Sequence, residues 1–178
     1  MWMKTEDGDG VMFREMRRSK QYLDKEECED ILKRGSHCVL AFAGDDGYPY
    51  ALPISYAYED GRIYMHGAGA GHKIDSIRRN DKVSFTVVDQ DLNVPSELTI
   101  YFRSVVCFGR ARILTDEEEK IHCCRLVAGK YSPGFEEKAE ASIARQLHAM
   151  GCIEIAIEHM TGKQAIELVK DRKQEDMH

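Results

Sequence analysis

Glycine alternates with alanine through Gly67-Ala68-Gly69-Ala70-Gly71, and His72-Lys73 follows at once. The run comes after the strand-like Arg62-Ile63-Tyr64-Met65-His66 and leads into the helix-like Ile74-Asp75-Ser76-Ile77-Arg78-Arg79. The chain must therefore bring the end of a strand and the start of a helix together at one tight, unobstructed turn. Glycine permits φ > 0 and lets amide N–H groups point inward. A helix start adds partial positive charge, and Lys73 adds a full one. Such a turn makes an anion site, and a phosphate is its natural occupant. A solvent-exposed loop with no ligand is the plainer reading, but three alternating glycines before His-Lys are more than a turn requires.

At 178 residues the chain is expected to form one domain with a single core that needs no staples. Its 31 acidic residues outnumber 25 basic ones, for a net charge of -6, and the basic residues are dispersed. A nucleic-acid partner needs a basic face and is not expected. Met1 precedes a polar, acidic stretch, and no run of roughly 18 apolar residues occurs, so no membrane association and a cytoplasmic location are expected. The six cysteines, Cys28, Cys38, Cys107, Cys123, Cys124 and Cys152, form no C-x-x-C pair and read as reduced core thiols. His37, His122, His148 and His159 are scattered, so no metal site is proposed.

Residues 1–11 are glycine- and acid-rich and read as a flexible segment, 12–170 as the domain and 171–178 as a charged tail. Asp24 with Glu27 forms a capping box for a helix ending near Gly35. His37–Phe42 and Tyr48–Tyr58 read as strands joined by a Gly44–Gly47 hairpin, with a second tight turn at Glu59-Asp60-Gly61. Pro49 and Pro53 remove ladder donors from the second strand, which suggests an edge, a bulge or a backbone turned toward a ligand. Lys82–Val88 and the long run Leu98–Leu114 continue the strands, with Gly109 marking a bend. Thr115 with Glu118 caps a helix reaching Tyr131, Phe135–Met150 forms another, and the strand Cys152–Ile157 closes the pattern before Thr161–Ala165 turns away. The fold class is α+β, mainly β: a six-stranded antiparallel, Greek-key-like barrel with peripheral helices.

A Walker A loop fails here, because His72 stands where its second glycine belongs and Ile74 where its hydroxyl belongs. A dinucleotide fingerprint fits Gly67, Gly69 and Asp89, but Gly71 falls one place early. Taken jointly, Gly44–Tyr50, Pro53–Tyr58, Ile63–Gly67, Gly71-His72-Lys73 and Tyr101–Ala111 give a more specific signal. In that order and spacing, over roughly residues 12–160, the chain resembles the FMN-binding split-barrel superfamily of pyridoxamine 5'-phosphate oxidase, closest to its nitroimidazole-resistance branch.

The resemblance implies a six-stranded split barrel that forms a homodimer, with FMN in clefts between subunits. It implies that Pro53, Ile54, Ser55 and Tyr56 run along the ring and ribityl chain, and that Met65 and His66 contact the ring edge through backbone. His72 and Lys73 would hold the phosphate, with Ser104 reaching the phosphate or ribityl region. The clustered basic residues that pyridoxamine phosphate oxidation needs are missing. The expected activity is therefore transfer of electrons from flavin to a small planar acceptor such as a nitroimidazole, with His72 as the catalytic proton donor. A non-catalytic flavin-binding, storage or sensor protein is the alternative. Arg103 either enters the cleft or pairs with Glu97, Tyr56, Tyr58, Tyr64 and Tyr101 read mainly as core or interface, and Cys107 reads as a buried strand residue.

Overall fold

The computed structural model describes residues 13–175, with side-chain surroundings through Lys170. The expected flexible segment 1–11 lies outside the described residues, as do the last residues of the expected tail. The elements are β1 (Tyr22–Leu23), α1 (Lys25–Arg34), β2 (Cys38–Ala43), β3 (Pro49–Ile54), β4 (Ala57–Glu59), β5 (Arg62–Ala68), α2 (His72–Arg79), β6 (Lys82–Val94), β7 (Thr99–Leu114), α3 (Glu117–Tyr131), α4 (Glu136–Gln146), β8 (Met150–Gln164) and α5 (Ile166–Glu175). The sheet is antiparallel throughout and runs β3-β2-β6-β7-β8-β5-β4, with β1 added on β8. The α+β class thus holds, but the sheet has eight strands rather than six. Among the described residues no ladder joins its two end strands.

Local chemistry places several elements where the sequence puts them. Asp24 accepts the Glu27 N–H at 2.8 Å while the Glu27 carboxylate accepts the Asp24 N–H at 2.9 Å, the reciprocal capping box that starts α1. Its buried face is Cys28, Ile31 and Leu32. The two hairpins turn on left-handed pairs, Asp46 (φ 52) with Gly47 (φ 81) and Asp60 (φ 46) with Gly61 (φ 77). At Gly109 a side chain would collide with the Ala156 carbonyl, and there β7 slips register against β8, as the expected bend requires.

Three expectations need correction. The expected strand 48–58 is two strands, because β3 pairs only with β2 and β4 only with β5, and the chain crosses between them at Ser55-Tyr56. The strand expected to end at Ile157 runs on to Gln164, since Phe108 to Arg103 of β7 and both residues of β1 offer it partners. The cap of α3 is Asp116, not Thr115: Asp116 accepts the Glu119 N–H at 3.0 Å, while the Glu119 side chain turns to Arg112 instead of closing a box.

The curled sheet wraps one interior in which Leu40, Phe85, Val87, Val105, Ile153 and Ile155 are fully or almost fully buried. A second cluster lies under α3 and α4 and includes Tyr64, Leu114, Ile143 and three cysteines, Cys123, Cys124 and Cys152. All six cysteines are free and buried, as expected of core thiols. No described helix is long and apolar enough to cross a membrane.

Candidate functional site

The two ends of the sheet leave backbone unpaired close together. On β5, pairing with β4 stops at Tyr64, so Met65 to Ala68 are bound only on the β8 side. On β3, only the β2 edge is laddered. Between them, at Ser55-Tyr56, the break is held by a residue far along the chain. The Tyr131 hydroxyl accepts the Tyr56 N–H at 3.0 Å and faces the carbonyls of Tyr56, at 2.9 Å, and Ser36. A slot bordered by open strand edges offers amides and carbonyls to a ligand in place of a further strand.

At one end of this slot stands α2. Gly71, its N-cap residue, has φ 108, a conformation that disfavours a side chain. Lys73 folds back along the strand it follows, so that its ammonium lies 3.2 Å from where a Cβ on Gly67 would stand. Burial holds its pKa below the usual lysine value. Among the described residues no carboxylate pairs with it within salt-bridge range. A half-buried ammonium with its desolvation uncompensated fits an anion. His66, next to it, is pushed below the usual histidine pKa by burial first and by the Lys73 charge second.

His72 is arranged differently. Its ring stacks on Tyr50 with centroids 4.3 Å apart, meets Phe42 edge-on at 6.5 Å, and places Nε2 3.4 Å from an Asp45 carboxylate oxygen. The other oxygen of Asp45 is taken by Arg79 at 2.6 Å, and the Arg79 hydrogen bond is the main cause that holds the Asp45 pKa low. The expected phosphate pair thus divides: Lys73 is unpaired among the described residues, whereas His72 is braced by an aromatic ring and a carboxylate.

The other expected residues are distributed as follows. Pro53 faces outward and Ile54 packs partly against the core, while Ser55 is exposed at the break. Tyr56 and Met65 are 0% exposed, so only their backbone can meet a ligand. Ser104 pairs with Val88 and Lys163, five residues along β7 from Gly109. Gly109 is level with Val83, and through it with the Phe42 beside His72, so Ser104 lies about 17 Å up the strand from that level in the same protomer. Arg103 does not meet Glu97, which accepts from the Tyr101 hydroxyl at 2.8 Å; it donates to Glu27 at 3.2 Å. Cys107 is fully buried, and burial pushes its thiol pKa up. No group of histidines, cysteines and carboxylates able to hold a metal occurs among the described residues.

Beyond the slot, Ser55 and His66 open into a groove of about 710 Å³ whose walls are α3, α4 and Met150. Sequence reasoning missed this groove, together with Tyr131, Lys138 and Lys130. The Lys130 ammonium lies 4.0 Å over the Tyr56 ring, and among the described residues neither it nor the Tyr56 hydroxyl has a hydrogen-bond partner. Nothing local in Gly129-Lys130-Tyr131 signals these roles, which arise only when the end of α3 meets a break 75 residues earlier.

Comparison with known proteins gives consistent results. The family profile described as pyridoxamine 5'-phosphate oxidase matches residues 24–164. An uncharacterised Rhizobium meliloti protein, RA0666, is 31% identical over 151 residues, covering 80% of this chain and 93% of that protein. Among solved structures, a Mesorhizobium loti FAD-binding protein superposes with a TM-score of 0.57 at 26% identity, covering 82% of this chain and 97% of its own. A Bacteroides thetaiotaomicron protein provisionally assigned to 5-nitroimidazole antibiotic resistance superposes with a TM-score of 0.67 at 24% identity, covering 80% and 86%.

Proposed function

Because the chain belongs to the pyridoxamine 5'-phosphate oxidase family, we propose that it is a flavin-dependent oxidoreductase that binds FMN in the slot and reduces a small planar acceptor, such as a nitroaromatic. The observation that carries this reading is the unpaired, half-buried Lys73 ammonium at the end of an open strand edge. Lys73 would hold the phosphate, with the amides after Gly71 as further donors. Ser55, Met65 and His66 would present backbone to the ring and ribityl chain. Bound flavin supplies the electron chemistry, so the chain needs no dedicated nucleophile or carboxylate pair. FAD, which the Mesorhizobium loti protein binds, carries the same phosphate-linked ring and is an equally direct probe of the slot.

A homodimer is part of the proposal. The outer sheet face carries Val39, Val88, Ile100 and Phe108, each at least 39% exposed, and a second copy would cover them. Ser104 lies among these strands, so its route to a flavin would be from the partner copy. His72 is held against Tyr50 and Asp45 of the β2–β3 hairpin, and no other side chain is assigned as a proton donor at the slot, which favours a second reading, a flavin-binding protein without turnover. Titration of flavin-free protein with FMN, followed by absorbance, tests the cofactor. Bleaching by NADH or NADPH and recolouring on addition of a nitroimidazole favours the enzyme. A bound flavin that stays oxidised with both donors favours the binder, and no FMN binding at all removes both.

A further inference from the structure

The groove between α3 and α4 has a composition that the flavin reading does not require. Its floor is apolar, with Val127 and Ile143 almost buried, and Phe135 stands 61% exposed at its rim. Its polar groups are few and include His66, Ser142 and Lys138. In a chain with a net charge of -6, no carboxylate lines it among the described residues, and Lys138 is its one lysine. At about 710 Å³ it lies within the usual size range of small-molecule sites.

We propose that this groove seats the acceptor, and that the acceptor class is a flat aromatic monoacid, its ring on Val127 and Ile143 and its carboxylate directed to Lys138. The assignment deepens the proposed oxidoreductase function and rests on it for the word acceptor, but the binding claim stands on the groove alone. A cation would meet Lys138 and no counter-charge. A phosphate dianion is better served by the unpaired Lys73 at the other end of the slot. A neutral apolar ring would fit the floor without engaging the one charged side chain that lines the groove among the described residues. His66, whose pKa burial and then the Lys73 charge push down, adds an imidazole at the inner end, where the groove meets the open edge of β5.

The test uses the full chain, once without flavin and once saturated with FMN, titrated calorimetrically with 4-nitrobenzoate and with neutral 4-nitrobenzamide. Lys138→Glu, an exposed change, is expected to weaken the acid about tenfold while the amide moves less than about twofold. Ser142→Trp, which fills the groove, is expected to abolish binding of both compounds while the melting temperature and FMN affinity stay as in the parent. Failure of the parent chain to bind the acid overturns the inference, as does an acid affinity unmoved by Lys138→Glu. Loss of FMN together with the acid in Ser142→Trp would make the groove the cofactor's own seat and also overturns it. If the acid binds with the expected selectivity while FMN does not bind at all, the groove assignment stands and the flavin reading falls.

Discussion

Glu154 and Lys73 are both charges withdrawn from water, yet the protein treats them in opposite ways. Glu154, on β8, is only 5% exposed and is fully answered: Arg112 grips it at 2.8 and 3.0 Å and Arg62 adds a contact at 3.1 Å. The Arg112 hydrogen bonds hold its pKa below the usual carboxylate value despite burial. Lys73 has no such partner among the described residues, and burial alone moves its pKa in the unfavourable direction. The first arrangement satisfies its charge within the fold and the second leaves the desolvation of its charge unanswered, which is the pattern expected when one charge serves the scaffold and the other awaits a ligand.

The contrast can be broken at several points. The largest effect is expected from Arg112→Leu, which leaves a buried carboxylate with Arg62 and the Tyr64 hydroxyl but without its bidentate partner. Unfolding in urea should show a loss on the order of 2–4 kcal/mol. Because the folded pKa of Glu154 is depressed, its contribution is present above the ordinary carboxylate pKa and fades as pH falls through the folded value. The gap between parent and variant should therefore shrink in acid, and a gap that widens would contradict the role given to Arg112.

Lys73→Ala should do the reverse. FMN affinity should fall by about 1.5–3 kcal/mol, the worth of one charge-assisted contact, while the melting temperature of the flavin-free protein stays level or rises. A destabilised variant with intact FMN binding would make Lys73 a scaffold residue after all.

The same lysine sets a pH dependence. Its pKa in the free protein lies below the usual lysine value, and a bound phosphate favours the charged form. Affinity for FMN should then be steady near neutrality and decline as pH rises through that lowered value. Lys73→Arg should move the decline out of reach, and a parent protein whose affinity ignores alkaline pH would argue against direct contact.

The smallest effect concerns the braced histidine. Asp45→Asn removes an exposed carboxylate from the His72 side of the site, where it opposes an incoming anion. FMN should bind about two- to fivefold tighter, within the range of exposed charge pairs, and the gain should vanish at high salt.

What could be read from the sequence was what neighbouring residues decide among themselves. The Asp24–Glu27 box, the hairpins at Asp46-Gly47 and Asp60-Gly61, and the turn into α2 all depend on backbone preferences and on side chains a few places away. The division of 48–58 into two strands could not be read, because it depends on sheet order and on Tyr131, whose hydroxyl arrives from another element. The second half of β8 was hidden for a related reason. Glu158-His159-Met160-Thr161-Gly162-Lys163 has little strand propensity of its own, and it extends because β7 and β1 lie alongside. In the candidate site, Lys73 was visible as charge after glycine, but the partners of His72 were not, since Tyr50 and Asp45 come from the β2–β3 hairpin. The groove escaped notice because helical periodicity identifies an apolar face without saying what it will meet.

The hydroxyl of Tyr131 is a rivet shared by two working parts. It belongs to the helix that walls the groove, and it fastens the break where the open strand edges begin. A tilt of the last turn of α3 must therefore drag Ser55-Tyr56 with it. Were both chambers occupied, their occupants would be coupled through that joint, and by linkage whatever factor one added to the grip on its neighbour would be returned in equal measure.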